Sequence, residues 1–337
     1  MTTRAFGRLA TGETVEEITI GRDGLSAAIL TFGAILRRLD VSTAQGPRNV
    51  VLGFEEVAPY DGDGRYFGAI AGRCANRIAG GAFELDGTSY RLPLNQAGRT
   101  HLHGGLRGFA QRLWQVESRD DQSVTLTRRS PDGEEGYPGT LDVSCRYEIA
   151  ADRRLTITLT ATTDAPTLVN LAGHAYFNLD GDGDILDHDL TVAAEAYTPI
   201  DADLIPTGEI RPVAGTPFDF RAARPIRRAE AGGRVGYDHN FVLTDARSDT
   251  PRLAARLSGQ GGLTMDLFTT EPGLQVYDGS MIVPMAGTDG RSFSPNSGIC
   301  LEPQVFPDAI NNPRFPSAVL RPGETYRQVT AYRFGET

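Results

Sequence analysis

A chain of 337 residues, 40% hydrophobic and 23% charged, can bury a large core and lacks the composition of a disordered protein. Its 43 acidic side chains outnumber 33 basic ones, and the formal charge of −10 argues against nucleic acid or an anionic membrane as partner, since either needs a basic surface. All 33 basic residues are arginine, which excludes Schiff-base chemistry, pyridoxal-phosphate anchoring and any P-loop lysine.

From the start of the chain, Met1 to Thr14 is polar and does not have the charged-then-apolar layout of a signal peptide. The longest mostly apolar run, Leu25 to Leu36, is too short to span a bilayer. Cys74, Cys145 and Cys300 lie far apart with no CxxC spacing, which fits a reducing compartment better than a zinc ribbon or a disulfide framework. A soluble, cytoplasmic protein is expected.

Period-2 alternation predicts strands over residues 17–20, 27–30, 49–52, 123–127, 143–148, 154–160, 189–192, 240–243, 274–277 and 325–334. The clearest is Arg154 to Thr160, where Leu155, Ile157 and Leu159 share one face and threonines the other. Turn pairs such as Asp23-Gly24, Asp86-Gly87 and Asp278-Gly279 punctuate the strands. The best helical candidate, Ala222 to Ala231, contains Pro225 and ends at Gly232-Gly233, so at most a short surface helix is expected there. With 39 Gly and 20 Pro, the pattern predicts an all-β protein, a large antiparallel β-sandwich or barrel. There is no internal repeat and no linker-like shift in composition, so residues 1–337 are read as a single domain.

Chemically dense stretches interrupt this pattern. Asn76 and Arg77 sit among small residues in Gly72 to Ile78, where a guanidinium can donate to several hydroxyl oxygens, or equally serve as structural support at a strand end. In Thr100 to Gly105, His101 and His103 would share a face of a strand. A His-x-His pair can open a metal site, but no carboxylate follows nearby and metal is not expected. His174 lies among apolar and small residues, a setting in which a hydrogen-bonded core histidine is the commoner outcome. Asp180, Asp182 and Asp184 imitate the opening of a calcium loop, but Ile185 and Thr191 occupy positions that require glycine and glutamate. Asp238 beside His239, and Gln275 after a Pro-Gly turn, offer groups suited to polyhydroxylated ligands. Glu302, pinned by Pro303, is the first candidate for a catalytic base.

Six motifs stand in a shared order: GRCANRI (72–78), LHGG followed by GF (102–109), NLAGHAYFNL (170–179), GYDHNF (236–241), EPGLQVY (271–277) and LEPQVFPDAINNPRFP (301–316). Together they resemble the aldose 1-epimerase (galactose mutarotase) family from about Gly33 to Phe334. The resemblance implies a large antiparallel β-sandwich of the galactose mutarotase-like type, with a monosaccharide bound in an open cleft and no cofactor. It implies Glu302 as general base and His174 as general acid, with Asn76, Arg77, His103, Asp238 and Gln275 contacting the sugar. His101 falls at a variable position of its motif and is left out. Gly173 and Ala175 flank His174 where relatives often carry asparagine and serine, while Thr100 and Pro303 stand where asparagine and threonine are common.

The residues suit the chemistry on their own account. Anomer interconversion takes a proton from the C1 hydroxyl and gives one to the ring oxygen, so one carboxylate and one imidazole suffice. A carbohydrate-binding protein without catalysis, or a glycoside hydrolase using Glu302 with Asp238, would use many of the same residues. A mutarotase-like enzyme for a hexose 6-phosphate would add an arginine cluster, for which Arg224, Arg227 and Arg228 are the candidates. The preferred aldose is left open, and so is the choice between monomer and homodimer.

Overall fold

The computed structural model describes residues 2–230 and 233–336. Strands dominate it, and every ladder between named strands is antiparallel. A nine-stranded sheet runs in the order Gln115–Arg119, Ser123–Ser130, Leu141–Ala150, Arg154–Thr163, Tyr326–Glu336, Leu263–Thr269, Arg252–Ser258, Asp189–Val192, Arg224–Pro225. A six-stranded sheet is ordered Tyr176–Phe177, Ile299–Gln304, Gly273–Tyr277, Asp238–Val242, Ala196–Thr198, Arg211–Pro212. The first 49 residues supply a five-stranded meander.

The alternation that predicts a strand over residues 154–160, observed as Arg154–Thr163, is what builds the sandwich. Leu155, Ile157 and Leu159 point inward from the large sheet and share a core with Phe241, Leu274, Val276, Ile299 and Leu301 from the smaller one. Phe177 meets Tyr332 across the gap with ring centroids 4.9 Å apart. Each such fully buried aliphatic side chain contributes about 2 kcal/mol by leaving water.

Register then decides what the smaller sheet shows on its other side. Gln275 pairs with both Asn240 and Glu302, and Tyr277 pairs with both Asp238 and Cys300. Directly paired residues share a face. Cys300, Glu302 and Gln304 therefore stand beside Tyr277, Gln275, Asp238 and Asn240 on the face turned away from the sandwich core. Pro303 is tolerated inside this strand because the neighbouring strand Tyr176–Phe177 reaches only Ile299 and Cys300. On the side left open, the Pro303 carbonyl accepts a hydrogen bond from Gln328 Nε2 at 2.7 Å.

Two expectations from sequence need correction. Residues 49–52 are not one strand: the ladder ends at Asn49 and Val51 makes only an isolated bridge to Phe177. The Asn49 side chain takes over there, its Oδ1 accepting from the N–H groups of Leu39 and Val51, both at 3.2 Å. The helical candidate from Ala222 is replaced by extended pieces, Arg224–Pro225 and Ala229–Glu230, while Ala231 and Gly232 lie outside the described residues. Pro225 lacks an N–H and takes an edge position, and Arg224 is spent on the carbonyls of Pro217, Asp219 and Pro225. Among the described residues no helix is long and apolar enough to cross a membrane.

Candidate active site

A cavity of about 160 Å³ opens over the exposed-side face of the six-stranded sheet, walled by Tyr66, Asn76, Arg77, Gln96, Leu102, His103, His174, Tyr176, Asp238, Tyr277, Met281 and Glu302. Six of the seven residues singled out from sequence are in that wall. The seventh, Gln275, is not; its Nε2 donates to Asp238 Oδ1 at 2.6 Å and so orients that carboxylate.

Arg77 crosses one side of the cavity. Its Nε donates to Gln96 Oε1 at 2.8 Å, and its Nη1 lies 3.4 Å from Asp238 Oδ2. Asp238 is thus held between a guanidinium and an amide, an arrangement that keeps both of its oxygens in fixed directions. Asn76 has φ +60° and spends Oδ1 on the Arg77 N–H at 2.9 Å. Arg73, by contrast, is wholly structural. Its guanidinium donates to the carbonyls of Ser130, Pro131, Pro138 and Gly139, tying those two segments together.

His101 and His103 do not share a strand face. The strand is Thr100–Leu102, and His103 leaves it with φ +49°. His101 turns into the protein, with Nδ1 2.8 Å from the Pro93 carbonyl and Nε2 2.7 Å from the Tyr137 hydroxyl. His103 turns into the cavity. Its N–H donates to the Asn76 carbonyl at 2.9 Å, and its Nδ1 accepts the Asn76 N–H at 3.1 Å. A backbone N–H can only donate, so Nδ1 of His103 carries no proton and the neutral ring keeps its hydrogen on Nε2. Burial, with His174 and Arg77 nearby, holds this ring well below the usual histidine pKa.

His174 is fixed by its backbone, its N–H donating to Ala69 and its carbonyl accepting from Gly68. The small neighbours Gly173 and Ala175 offer no polar side chain, and the imidazole is instead enclosed by rings. Its centroid lies 5.0 Å from that of His103, 5.2 Å from Tyr176 and 5.9 Å from Tyr66. Nε2 stands 3.8 Å from Glu302 Oε2, and Nδ1 stands 3.4 Å from Cys300 Sγ. Burial lowers the imidazole to about 4 and pushes the Glu302 carboxyl well above its usual range, the latter helped by the charge on Asp238. Both shifts act against the charged forms.

His103, His174 and Glu302 offer three ligand atoms within 4.8 Å of one another. The donor chemistry does not suit an ion. The His103 Nε2, which would face it, carries the proton that the Asn76 N–H forces there. His239 lies on the opposite face of its strand from Asp238, packed on Phe218 at 4.4 Å between centroids, as a core neighbour rather than a wall residue. Asp180 accepts from the N–H groups of Gln260 and Gly261 and serves a turn.

Sequence reasoning assigned no role to Tyr66, Gln96, Tyr277, Met281 or Cys300. Cys300 was within reach of it, since it lies two residues before Glu302 and so on the same face. Gln96 and Tyr66 come from loops with no periodicity to read.

Comparisons with known proteins match nearly the whole chain. Residues 16–333 match the family model described as aldose 1-epimerase. Galactose mutarotase of Rattus norvegicus is 41% identical over 341 residues, 99% of this chain and 98% of that protein. Aldose 1-epimerase of Escherichia coli K12 is 37% identical over 324 residues, 92% of each. Among solved structures, an aldose epimerase homologue from C. elegans superposes with a TM-score of 0.89 at 31% identity, covering 95% of this chain and 99% of that one. Galactose 1-epimerase from Lactobacillus acidophilus gives 0.84 at 27% identity, covering 99% and 98%. The chain belongs to the aldose 1-epimerase family.

Proposed function

We propose that this protein interconverts the α and β anomers of free aldoses such as galactose or glucose, with Glu302 as the base at the C1 hydroxyl and His174 as the acid at the ring oxygen. The observation that carries the reading is the 3.8 Å approach of His174 Nε2 to Glu302 Oε2 inside one buried cavity wall. The two oxygens to be served are bonded to the same carbon, so acid and base must converge on neighbouring atoms. A wider separation would fit a hydrolytic water between two carboxylates instead.

The ring opens from the form in which the pair's single proton sits on His174, as the Glu302 carboxylate takes the C1 proton and the imidazolium gives one to the ring oxygen. Rotation about C1–C2 presents the other aldehyde face, and reclosure returns both protons. The pair ends with the proton count it began with, so the step needs no external acid or base. His103, fixed as a neutral Nε2–H donor, with Arg77, Asn76 and Asp238, holds the sugar hydroxyls. Gln275 acts through Asp238. The cavity of about 160 Å³ suits one sugar ring.

Asp238 is engaged by Arg77 and Gln275, which suits hydroxyl binding better than partnership in glycoside hydrolysis. A phosphate-binding role has no support from Arg224 or Arg227. The first is bound to backbone carbonyls, the second pairs with Asp187, and neither is in the cavity wall. Three buried, unpaired thiols fit a cytoplasmic setting. We read residues 1–337 as one domain, active as a monomer or homodimer on a small sugar without a cofactor. Anomeric proton exchange by NMR with equilibrated galactose tests the activity. Saturation transfer between the α and β signals is expected at catalytic enzyme concentrations, and release of a new reducing end from a glycoside in its place would establish the hydrolase.

A further inference from the structure

We infer that Cys300 is the positioning residue for His174, its sulfur accepting the Nδ1–H hydrogen bond that leaves Nε2 free to exchange the working proton. This rests on the acid role proposed for His174. Cys300 is fully buried on the strand Ile299–Gln304, two residues before Glu302, with Sγ 3.4 Å from His174 Nδ1. Tyr176 and Tyr277 pair with it from either side and enclose it, their ring centroids 6.1 Å apart. The thiol also shares a hydrogen bond with the Tyr176 side chain. Burial holds the thiol well above its ordinary pKa, so the partner of Nδ1 is an uncharged sulfur.

The two cavity histidines are therefore wired in opposite senses. His103 receives a backbone N–H on Nδ1 and keeps its hydrogen on Nε2 through the whole cycle. His174 gives its Nδ1–H to a sulfur, so Nε2 can lose a proton to the ring oxygen and recover it without any change on the other side of the ring. An uncharged sulfur is a weak acceptor. A carboxylate in its place would stabilise the imidazolium and make it a poorer acid, whereas the thiol orients the ring and leaves the cation acidic. The other groups around His174 are His103, Tyr66, Tyr176, Glu302, Arg77 and Asp238, together with its own backbone, with which the ring also hydrogen-bonds.

The test uses the full-length protein and its Cys300→Ala, Cys300→Ser and Cys300→Asp variants, each checked for folding by thermal unfolding. Loss of the orienting partner in Cys300→Ala is expected to lower kcat by about 10-fold to 100-fold with little change in KM. Cys300→Ser, which keeps an uncharged acceptor, should recover most of kcat. Cys300→Asp should move the acid limb of the pH profile to higher pH. Independently of activity, ¹⁵N spectra of the imidazoles, assigned against His174→Asn, should give the Nδ1–H form for His174 in wild type and a mixture in Cys300→Ala. A folded Cys300→Ala protein with unchanged kcat and pH profile, or an Nε2–H form in wild type, overturns the inference. Should wild type prove inactive, the functional reading fails while the nitrogen spectra still decide the contact.

Discussion

Glu302 and His174 face each other at 3.8 Å with their ionised forms both disfavoured by burial. The pH dependence follows from that. In the proposed mechanism the pair works with one shared proton, so activity falls when it gains a second and again when it loses the first. The imidazole is lowered from 6.5 towards about 4, so the acid limb of kcat/KM is expected below pH 6.5. A limb centred at or above 6.5 would contradict the assignment. Stability carries the opposite signature. The raised carboxyl keeps in the folded state a proton that the unfolded chain gives up above its ordinary 4.5, so this group's contribution is full at low pH and declines as pH rises. Glu302→Gln should therefore lose at least about 100-fold in activity. It should also be more stable than wild type by ~1 kcal/mol at pH 7, with the difference shrinking towards pH 4, as urea unfolding at the two pH values will measure.

Within single elements, alternation separates what holds the fold from what does the chemistry. On the strand Ile299–Gln304, Leu301 faces the sandwich core and Glu302 the cavity. Leu301→Ala is expected to cost about 2–5 kcal/mol of stability, and the residual folded protein should keep a near-normal KM. The turn after His103 shows the reverse dependence. Gly104 has φ +87°, and a Cβ there would sit 1.7 Å from the Gly72 carbonyl oxygen. Gly104→Ala must displace the backbone that fixes His103, so sugar affinity should collapse even where folded protein is recovered. Sugar titration by calorimetry beside thermal unfolding distinguishes the two effects.

At the scale of the whole molecule, the regular strands were legible because one face of each is apolar: Asp189–Val192 appears with the bounds its alternation predicts. Residues 49–52 and the segment from Ala222 were not, since side-chain hydrogen bonds from Asn49 and Arg224 replace ladder bonds there and leave no period. The site residues could be named through a resemblance carried by six motifs, but their wiring could not. That Gln275 serves Asp238, or that a sulfur meets His174, depends on register between strands far apart in sequence. Loops brought in Tyr66 and Gln96 with no sequence signal at all. The proposal that His174 and Glu302 together open and reclose the sugar ring is tested most directly by polarimetry on freshly dissolved α-galactose. Wild type should speed the decay of optical rotation well beyond the spontaneous rate, while His174→Ala and Glu302→Gln should leave it near that rate. Wild type that binds the sugar without changing the decay, or variants that retain the full rate, would contradict the account.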